Sequence, residues 1–237
     1  MRIILAGATG LIGGRVLECL LARDDVTNVT TVSRRALPEV TSKQDQIVSP
    51  APEWSAHIAD RNCDVAVCCL GTTIKAAGSQ TAFAALDHAA VVAFASACRS
   101  AGARQFLLVT SVGADAGSRN FYLSTKGKAE ADVRDLGFAR IDIFRPGLLT
   151  GQRAGPLRIG ERLAIAVSPL TDMLTPNVLS RYRSIPATRV AHAISGIAGA
   201  QEAGEFVYHN DDMRSLSSKM DEKSLGWKED QVSDLIN

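Results

Sequence analysis

Aromatic residues are scarce in this 237-residue chain, at 5%, and its two tryptophans, Trp54 and Trp227, stand far apart. No platform for stacking nucleic-acid bases is spelled out. Charge of one sign is lacking too: 26 Lys and Arg against 25 Asp and Glu leave a formal net charge of +1. That balance excludes a broad electrostatic footprint for nucleic acid and makes small molecules the expected partners. The apolar run after Arg2 is broken by glycines and is too short to span a bilayer, so no membrane partner and a cytoplasmic location are expected. His57, His88, His192 and His209 form no ligand-spaced pair, and the five cysteines are odd in number and lie in apolar stretches. Cys68 and Cys69 are adjacent, which in a strand sends their side chains to opposite faces. Reduced core thiols and no metal are the reading. No fixed repeat and no Pro/Gly/Ser-rich linker divides the chain, which argues against a solenoid and for one main domain with a small appendage.

What is there is apolar material in a recognisable order. Hydrophobic residues make up 46% of the chain and charged residues 22%, enough for a sizeable core. Arg2 to Ala6 reads as a strand, Gly7 to Gly14 as a tight turn, and Arg15 to Arg23 as a helix with Val16, Leu17, Leu20 and Leu21 on one side. Val29 to Val32 and Val65 to Leu70 read as buried strands. Thr81 to Ala101 is alanine-rich and helical, Gly102 can end it, and Phe106 to Thr110 is a strand. Phe121 to Leu136 predicts a helix closed by Gly137, and Arg140 to Phe144 a further strand. Strands alternating with helices in this way predict an α/β fold: a Rossmann-type, doubly wound parallel sheet with a small C-terminal substrate-facing region. The expected division is a dinucleotide-binding core at 1–150, a small cap integrated with that core at 151–220, broken by Pro156, Pro169, Pro176 and Pro186, and a tail at 221–237. The charged stretch from Asp211 to Asn237 reads as a solvated helix or a loose tail.

Gly7, Gly10 and Gly13 make a GxxGxxG turn directly after a strand and at the start of a helix, the context that a dinucleotide-binding turn requires. A side chain at Gly7 or Gly10 would obstruct the turn or the approach of a pyrophosphate, and Gly13 permits close packing of helix on strand. Thr9, Gly10, Leu11, Ile12 and Gly13 would surround the anion with backbone N–H groups at the helix N-terminus. About twenty residues on, a carboxylate would hold a free ribose 2′-hydroxyl, but the second strand ends in Ser33, Arg34 and Arg35. A hydroxyl and two guanidinium groups suit a 2′-phosphate, so NADP (as NADPH) is favoured over NAD.

Tyr122 and Lys126 are spaced i, i+4 on the predicted helix and so share a face. A phenol that titrates near about 10 serves as an acid or base near neutrality when a cation stands beside it. Ser111 follows a strand at the carboxyl edge of the sheet, the ligand side of such folds, where it could orient a substrate carbonyl. Arg181, Arg183 and Arg189 gather around Pro186, either as a solvated basic face or as contacts for an anionic substrate or the 2′-phosphate side.

On these residues the chain resembles the atypical or extended members of the short-chain dehydrogenase/reductase superfamily, from Met1 to about Leu216. It is most similar there to the Tat-interacting-protein oxidoreductase subgroup and its bacterial NAD(P)-binding relatives, through LAGATGLIGG at Leu5 to Gly14, SRR at Ser33 to Arg35, CCLGTT at Cys68 to Thr73, FYLSTKGKAE at Phe121 to Glu130 and FRPGLL at Phe144 to Leu149. The resemblance implies NADP(H) binding, with Ser111, Tyr122 and Lys126 as the catalytic hydroxyl, tyrosine and lysine. It also implies cofactor contacts from Leu70, Gly71, Thr72, Thr110, Tyr122, Lys126, Pro146, Gly147 and Leu148. The chain departs from the family pattern at Asp87, in the region that usually carries an asparagine, and after about Lys219. The expected function is an NADP(H)-dependent oxidoreductase acting on a small carbonyl or hydroxyl substrate by Tyr/Lys-assisted hydride transfer. A cofactor-binding sensor or regulator with little turnover is the second reading, and a sugar-nucleotide epimerase or dehydratase the third. A homodimer is compatible with the resemblance.

Overall fold

A computed structural model describes residues 1–37, 41–151 and 181–219. Most of the expected cap, with Pro156, Pro169 and Pro176, and the tail at 221–237, with Trp227, lie outside the described residues. The elements in chain order are β1 (Arg2–Ala6), α1 (Leu11–Leu21), β2 (Asn28–Ser33), β3 (Gln44–Val48), α2 (Trp54–Ala59) and β4 (Val65–Cys68). Then come α3 (Ile74–Ala77), α4 (Gln80–Ala84), a π-helical turn over Ala85–Ala89, α5 (Ala90–Ser100), β5 (Gln105–Val109), α6 (Phe121–Arg134) and β6 (Arg140–Phe144). Beyond residue 148 lie β7 (Leu149–Thr150), β8 (Ile185–Pro186), α7 (Ala187–Ile197) and β9 (Gly204–Tyr208), followed by a helix over 210–219.

Seven strands form one parallel sheet in the order β3-β2-β1-β4-β5-β6-β9, and β7 pairs with β8 in a separate two-stranded ladder. The sheet is the doubly wound parallel sheet that the alternation of elements predicts. The order reverses beside β1, whose neighbours are β2 (Ile3 opposite Val29) and β4 (Ile3 opposite Val65). Chain leaving β1 turns one way and chain leaving β4 the other, which opens a crevice beyond their carboxyl ends.

The strands alternate between two cores, as a period of two dictates. Ile4, Ala6, Ala66, Cys68, Phe106 and Leu108 pack on one side with Trp54, Val91, Phe94 and Val133 from α2, α5 and α6. Ile3, Leu5, Val65, Val67, Leu107 and Val109 pack on the other with Val16 and Leu20 of α1 and Val190, Ala191 and Ile194 of α7. The stretch Gln80–Ser100 is long and apolar enough to cross a membrane by composition. Its apolar residues have another employment: Phe83, Val91, Phe94, Ala95 and Cys98 are buried.

Two edge strands were not read from the sequence, and one helix is less solvated than expected. The edge strand β3, QDQIV, is polar because only Gln44 and Ile47 of it are buried. At the opposite edge β9 pairs with β6 while its side chains stay largely exposed, so it carries no apolar run. Of the solvated helix or loose tail expected from Asp211, the described part is helical over 210–219 but not wholly solvated: Met213 is fully buried in the second core and Leu216 packs against that core. Apolar residues three apart were enough to seat that helix although its remaining surface is charged.

Candidate functional site

The turn after β1 is shaped by what cannot fit. Gly7 holds φ +87°, and a Cβ on it would stand 2.5 Å from the carbonyl oxygen of Cys69, at the end of β4. A Cβ on Gly13 would run into the Gly7 carbonyl, so α1 meets β1 at the closest approach that backbones allow. Gly10 caps α1 with extended backbone, no side chain satisfies the first-turn N–H groups, and no acidic residue occupies that turn. Leu11, Ile12 and Gly13 therefore begin an 11-residue helix whose positive end faces the crevice unopposed. A pyrophosphate fits such a cradle.

The crevice itself is lined by Gly7, Thr9, Gly10, Ser33, Arg34, Leu70 and Gly71 together with Val32, Ala51, Trp54, Cys69 and Leu86. Seven of the expected contact residues thus come together around one opening. Arg34 also lines a neighbouring apolar cleft with Thr72, Pro50, Pro52 and Leu86. Ser33 is buried and its hydroxyl donates to the carbonyl of Arg35 at 2.5 Å, which pins the corner that carries both arginines. Arg34 and Arg35 are exposed, and neither is ion-paired among the described residues. Arg35 lines neither cleft.

The catalytic candidates stand beyond β4 and β5 at the same edge of the sheet. Helix α6 is capped by Asn120, whose side chain accepts from the Leu123 N–H. It seats on the loop that follows Ser111 because Gly127 has no side chain: a Cβ there would strike the backbone of Asp115 and Ala116. The Asp115 N–H donates to the Leu123 carbonyl and the Ser124 hydroxyl to the Ala116 carbonyl, so the loop is laced to the helix. Tyr122 is half-buried, with its ring 5.3 Å from that of the fully buried Phe83. Ser111 is half-buried and makes a long 3.4 Å contact to the Val112 carbonyl.

Lys126, one turn after Tyr122, is 4% exposed and forms a 2.7 Å ion pair with Asp87, which is 0% exposed. The Thr72 N–H donates to the same carboxylate at 3.0 Å. Burial pushes the Asp87 carboxyl up, against the pull of the Lys126 ammonium and the Thr72 N–H. A Cβ on Gly71 would stand 3.5 Å from the Lys126 Nζ and 3.7 Å from Asp87 Oδ1. The ammonium is thereby placed next to Gly71, one of the residues that line the crevice.

Thr110 and the Pro146 loop have structural employment that the sequence did not disclose. The Thr110 hydroxyl donates at 2.7 Å to the buried Glu130, which also accepts from the Arg145 Nε at 3.0 Å. The hydroxyl therefore serves the clamp between β5, α6 and β6. Pro146 accepts from the Val112 N–H, Gly147 donates its N–H to the buried Asn210, and Leu148, 44% exposed, accepts from Ile185. Gly147 admits the Arg183 carbonyl where a Cβ would collide. Arg181 and Arg189 are exposed.

Glu130 and Asn210, and Asp87 as the partner of Lys126, are the residues that sequence reasoning missed. The one signal available was the carboxylate at the asparagine position. All five cysteines are free, and burial pushes the Cys68 thiol up to about 12, which leaves it protonated and unreactive.

Residues 7–170 match the profile of the NAD(P)H-binding family. The chain belongs to that family. The fungal FMP52 proteins are similar to it over most of their length. Protein FMP52-1, mitochondrial, of Scheffersomyces stipitis is 36% identical over 186 residues, 74% of this chain and 82% of that protein. Protein FMP52, mitochondrial, of Candida albicans is 28% identical over 232 residues, 93% of this chain and 100% of that protein. Among solved structures, the dTDP-glucose 4,6-dehydratase DesIV of Streptomyces venezuelae, with NAD bound, superposes with a TM-score of 0.67 at 15% identity, over 95% of this chain and 81% of that one. UDP-glucuronic acid 4-epimerase of Bacillus cereus, also with NAD, gives 0.65 at 16% identity over 88% and 77%. At that identity they establish the fold alone, the Rossmann-type α/β fold that the alternation of strands and helices predicts. The cytoplasmic location expected from the sequence is overturned by the relatives, which are named mitochondrial. The inference had rested on a broken apolar run near Arg2, which speaks to membrane insertion and not to compartment.

Proposed function

We propose that this NAD(P)H-binding protein is an NADP(H)-dependent oxidoreductase that reduces a small carbonyl substrate or oxidises the corresponding alcohol. The observation that carries this reading is the placement of Lys126 Nζ against Gly71, a lining residue of the crevice, one helical turn from Tyr122. A nicotinamide cofactor supplies hydride when bound. The chain supplies the rest: the α1 N-terminus receives the pyrophosphate, and Lys126 bonds the nicotinamide ribose and stands beside the phenol. Tyr122 exchanges a proton with the substrate oxygen that Ser111 polarises.

The preference for NADP rests on Arg34, which borders both clefts and has no carboxylate partner among the described residues, leaving it to fork onto a 2′-phosphate. Titration with NADPH and NADH, followed by a turnover screen on aldehydes, ketones and quinones, tests both halves of the reading. Tyr122→Phe is expected to lower kcat by about 10²- to 10⁴-fold while leaving NADPH affinity within about twofold of the parent. Unchanged turnover in that variant would sink the assignment of Tyr122. NADPH binding without any turnover in the parent would favour a cofactor-binding regulator instead.

A further inference from the structure

We infer that Asp87 is a positioning residue whose carboxylate both fixes the Lys126 ammonium at Gly71 and balances its charge, so that Tyr122 works as a proton donor to a carbonyl. The inference rests on the proposed roles of Tyr122 and Lys126.

The geometry begins with the backbone. Between α4 and α5 the helix widens into a π turn over Ala85–Ala89, which adds a residue to the turn and changes the direction in which successive side chains point. Asp87 is turned fully inside, while its neighbour His88 points outward to Asp132 at 2.6 Å. Helix π turns of this kind cost regularity and are retained most often where a side chain must be aimed. Here the carboxylate spans two elements of the site: Oδ1 meets Lys126 of α6 at 2.7 Å and Oδ2 accepts the Thr72 N–H of the loop after β4 at 3.0 Å.

The electrostatic consequence follows from burial. A lone ammonium one turn from Tyr122 would favour phenolate, whereas an ammonium with a carboxylate at 2.7 Å presents almost no net charge to its surroundings. Cys68 is the group that feels both charges, and the titratable groups on the adjoining turns are paired elsewhere. Cys68, on β4, is held neutral by burial; His88 and Asp132 pair with each other; Glu130, farther along α6, is bound to Arg145. With the pair's charges balanced, Tyr122 serves as the proton donor that reduction needs. In that direction the Tyr122 O–H bond breaks as the new O–H bond of the product alcohol forms. A bound reduced nicotinamide would supply the hydride for the carbonyl carbon, and the Tyr122 phenolate regains its proton from water.

The test is a tyrosinate absorbance titration of the full chain, with the Tyr122→Phe spectrum of each background subtracted to isolate Tyr122. Asp87→Asn leaves the ammonium unbalanced and is expected to raise the Tyr122 phenolate fraction about tenfold at a given pH, the effect of a unit charge at this range in a partly buried site. It should also move the alkaline fall of kcat/KM for carbonyl reduction to lower pH. Asp87→Asn/Lys126→Gln removes both charges, carries no unpaired buried ion, and is expected to titrate within about twofold of the parent. A parent and an Asp87→Asn protein with the same phenolate fraction would overturn the inference, as would a double variant with about tenfold less phenolate than the parent, because either result means that Asp87 does not balance Lys126. The titration needs no turnover, so its failure is separable from failure of the reductase reading.

Discussion

The two halves of the crevice are made by different means. On the β1 side the site is backbone: three glycines, an uncapped helix N-terminus and a strand end packed so closely that a single methyl group has nowhere to go. On the α6 side it is side chain: buried ion pairs drawn from segments far apart in sequence, with Lys126 held by Asp87 and Arg145 by Glu130. A backbone cradle needs only local sequence, since steric exclusion acts between residues a few positions apart. A buried charge network needs partners that the fold brings together, and it is costly when incomplete. The halves should therefore fail differently when damaged.

The largest effect is expected from the network. Glu130→Ala removes the acceptor of the Thr110 hydroxyl and of the Arg145 guanidinium, leaving a partly buried cation and a buried hydroxyl without a partner. Removing one member of such a buried pair destabilises by about 3–5 kcal/mol. Thermal unfolding monitored by circular dichroism should show the loss, and Glu130→Gln, which keeps an acceptor for Thr110, should recover part of it. A melting temperature unchanged in Glu130→Ala would mean that the β5–α6–β6 clamp is dispensable, and the comparison would lose its second half.

An intermediate effect is expected from the turn. Gly13→Ala places a methyl group in the Gly7 carbonyl, and overpacking of that kind costs about 1–3 kcal/mol when the neighbours are backbone and cannot rotate away. The signature that separates it from the Glu130 variants is its effect on binding: separation of α1 from β1 moves the N–H groups that receive the pyrophosphate. NADPH affinity, read by cofactor fluorescence, should fall more than stability does. Equal NADPH affinity in Gly13→Ala and the parent would show that the cradle tolerates displacement.

This contrast also accounts for what was legible beforehand. The glycine turn could be read because each of its requirements is written within seven residues, and the central strands β4 and β5 could be read because they are buried on both faces and so carry apolar runs, VAVC in β4 and FLLV after Gln105 in β5. The edge strands β3 and β9 could not, because an edge strand with one solvated face has no such run. Tyr122 and Lys126 were legible as a helical pair, but their setting was not: the π turn that aims Asp87 leaves no periodic trace in ALDHA, and the helix over 210–219 that supplies Asn210 to the Gly147 N–H reads locally as solvated chain. Thr110 was placed on the cofactor by resemblance, and its hydroxyl is taken by a glutamate twenty residues on in sequence.

The smallest effect sharpens the backbone half. If the glycine cradle holds the pyrophosphate common to NADH and NADPH, then the choice between them belongs to the corner after β2, where the Ser33 hydroxyl bonds the Arg35 carbonyl and Arg34 borders the crevice. Arg34→Ala deletes one charge-assisted contact to a 2′-phosphate, worth about tenfold in affinity for NADPH at a solvent-exposed position, and should leave NADH affinity where it was. Arg35→Ala should do less, since Arg35 lines neither cleft. Parallel titrations of the two variants with both cofactors decide the matter. A loss shared equally by NADH and NADPH would assign Arg34 to the adenine or the pyrophosphate. A larger loss in Arg35→Ala would mean that the corner opens on binding and that the second arginine, not the first, carries the discrimination.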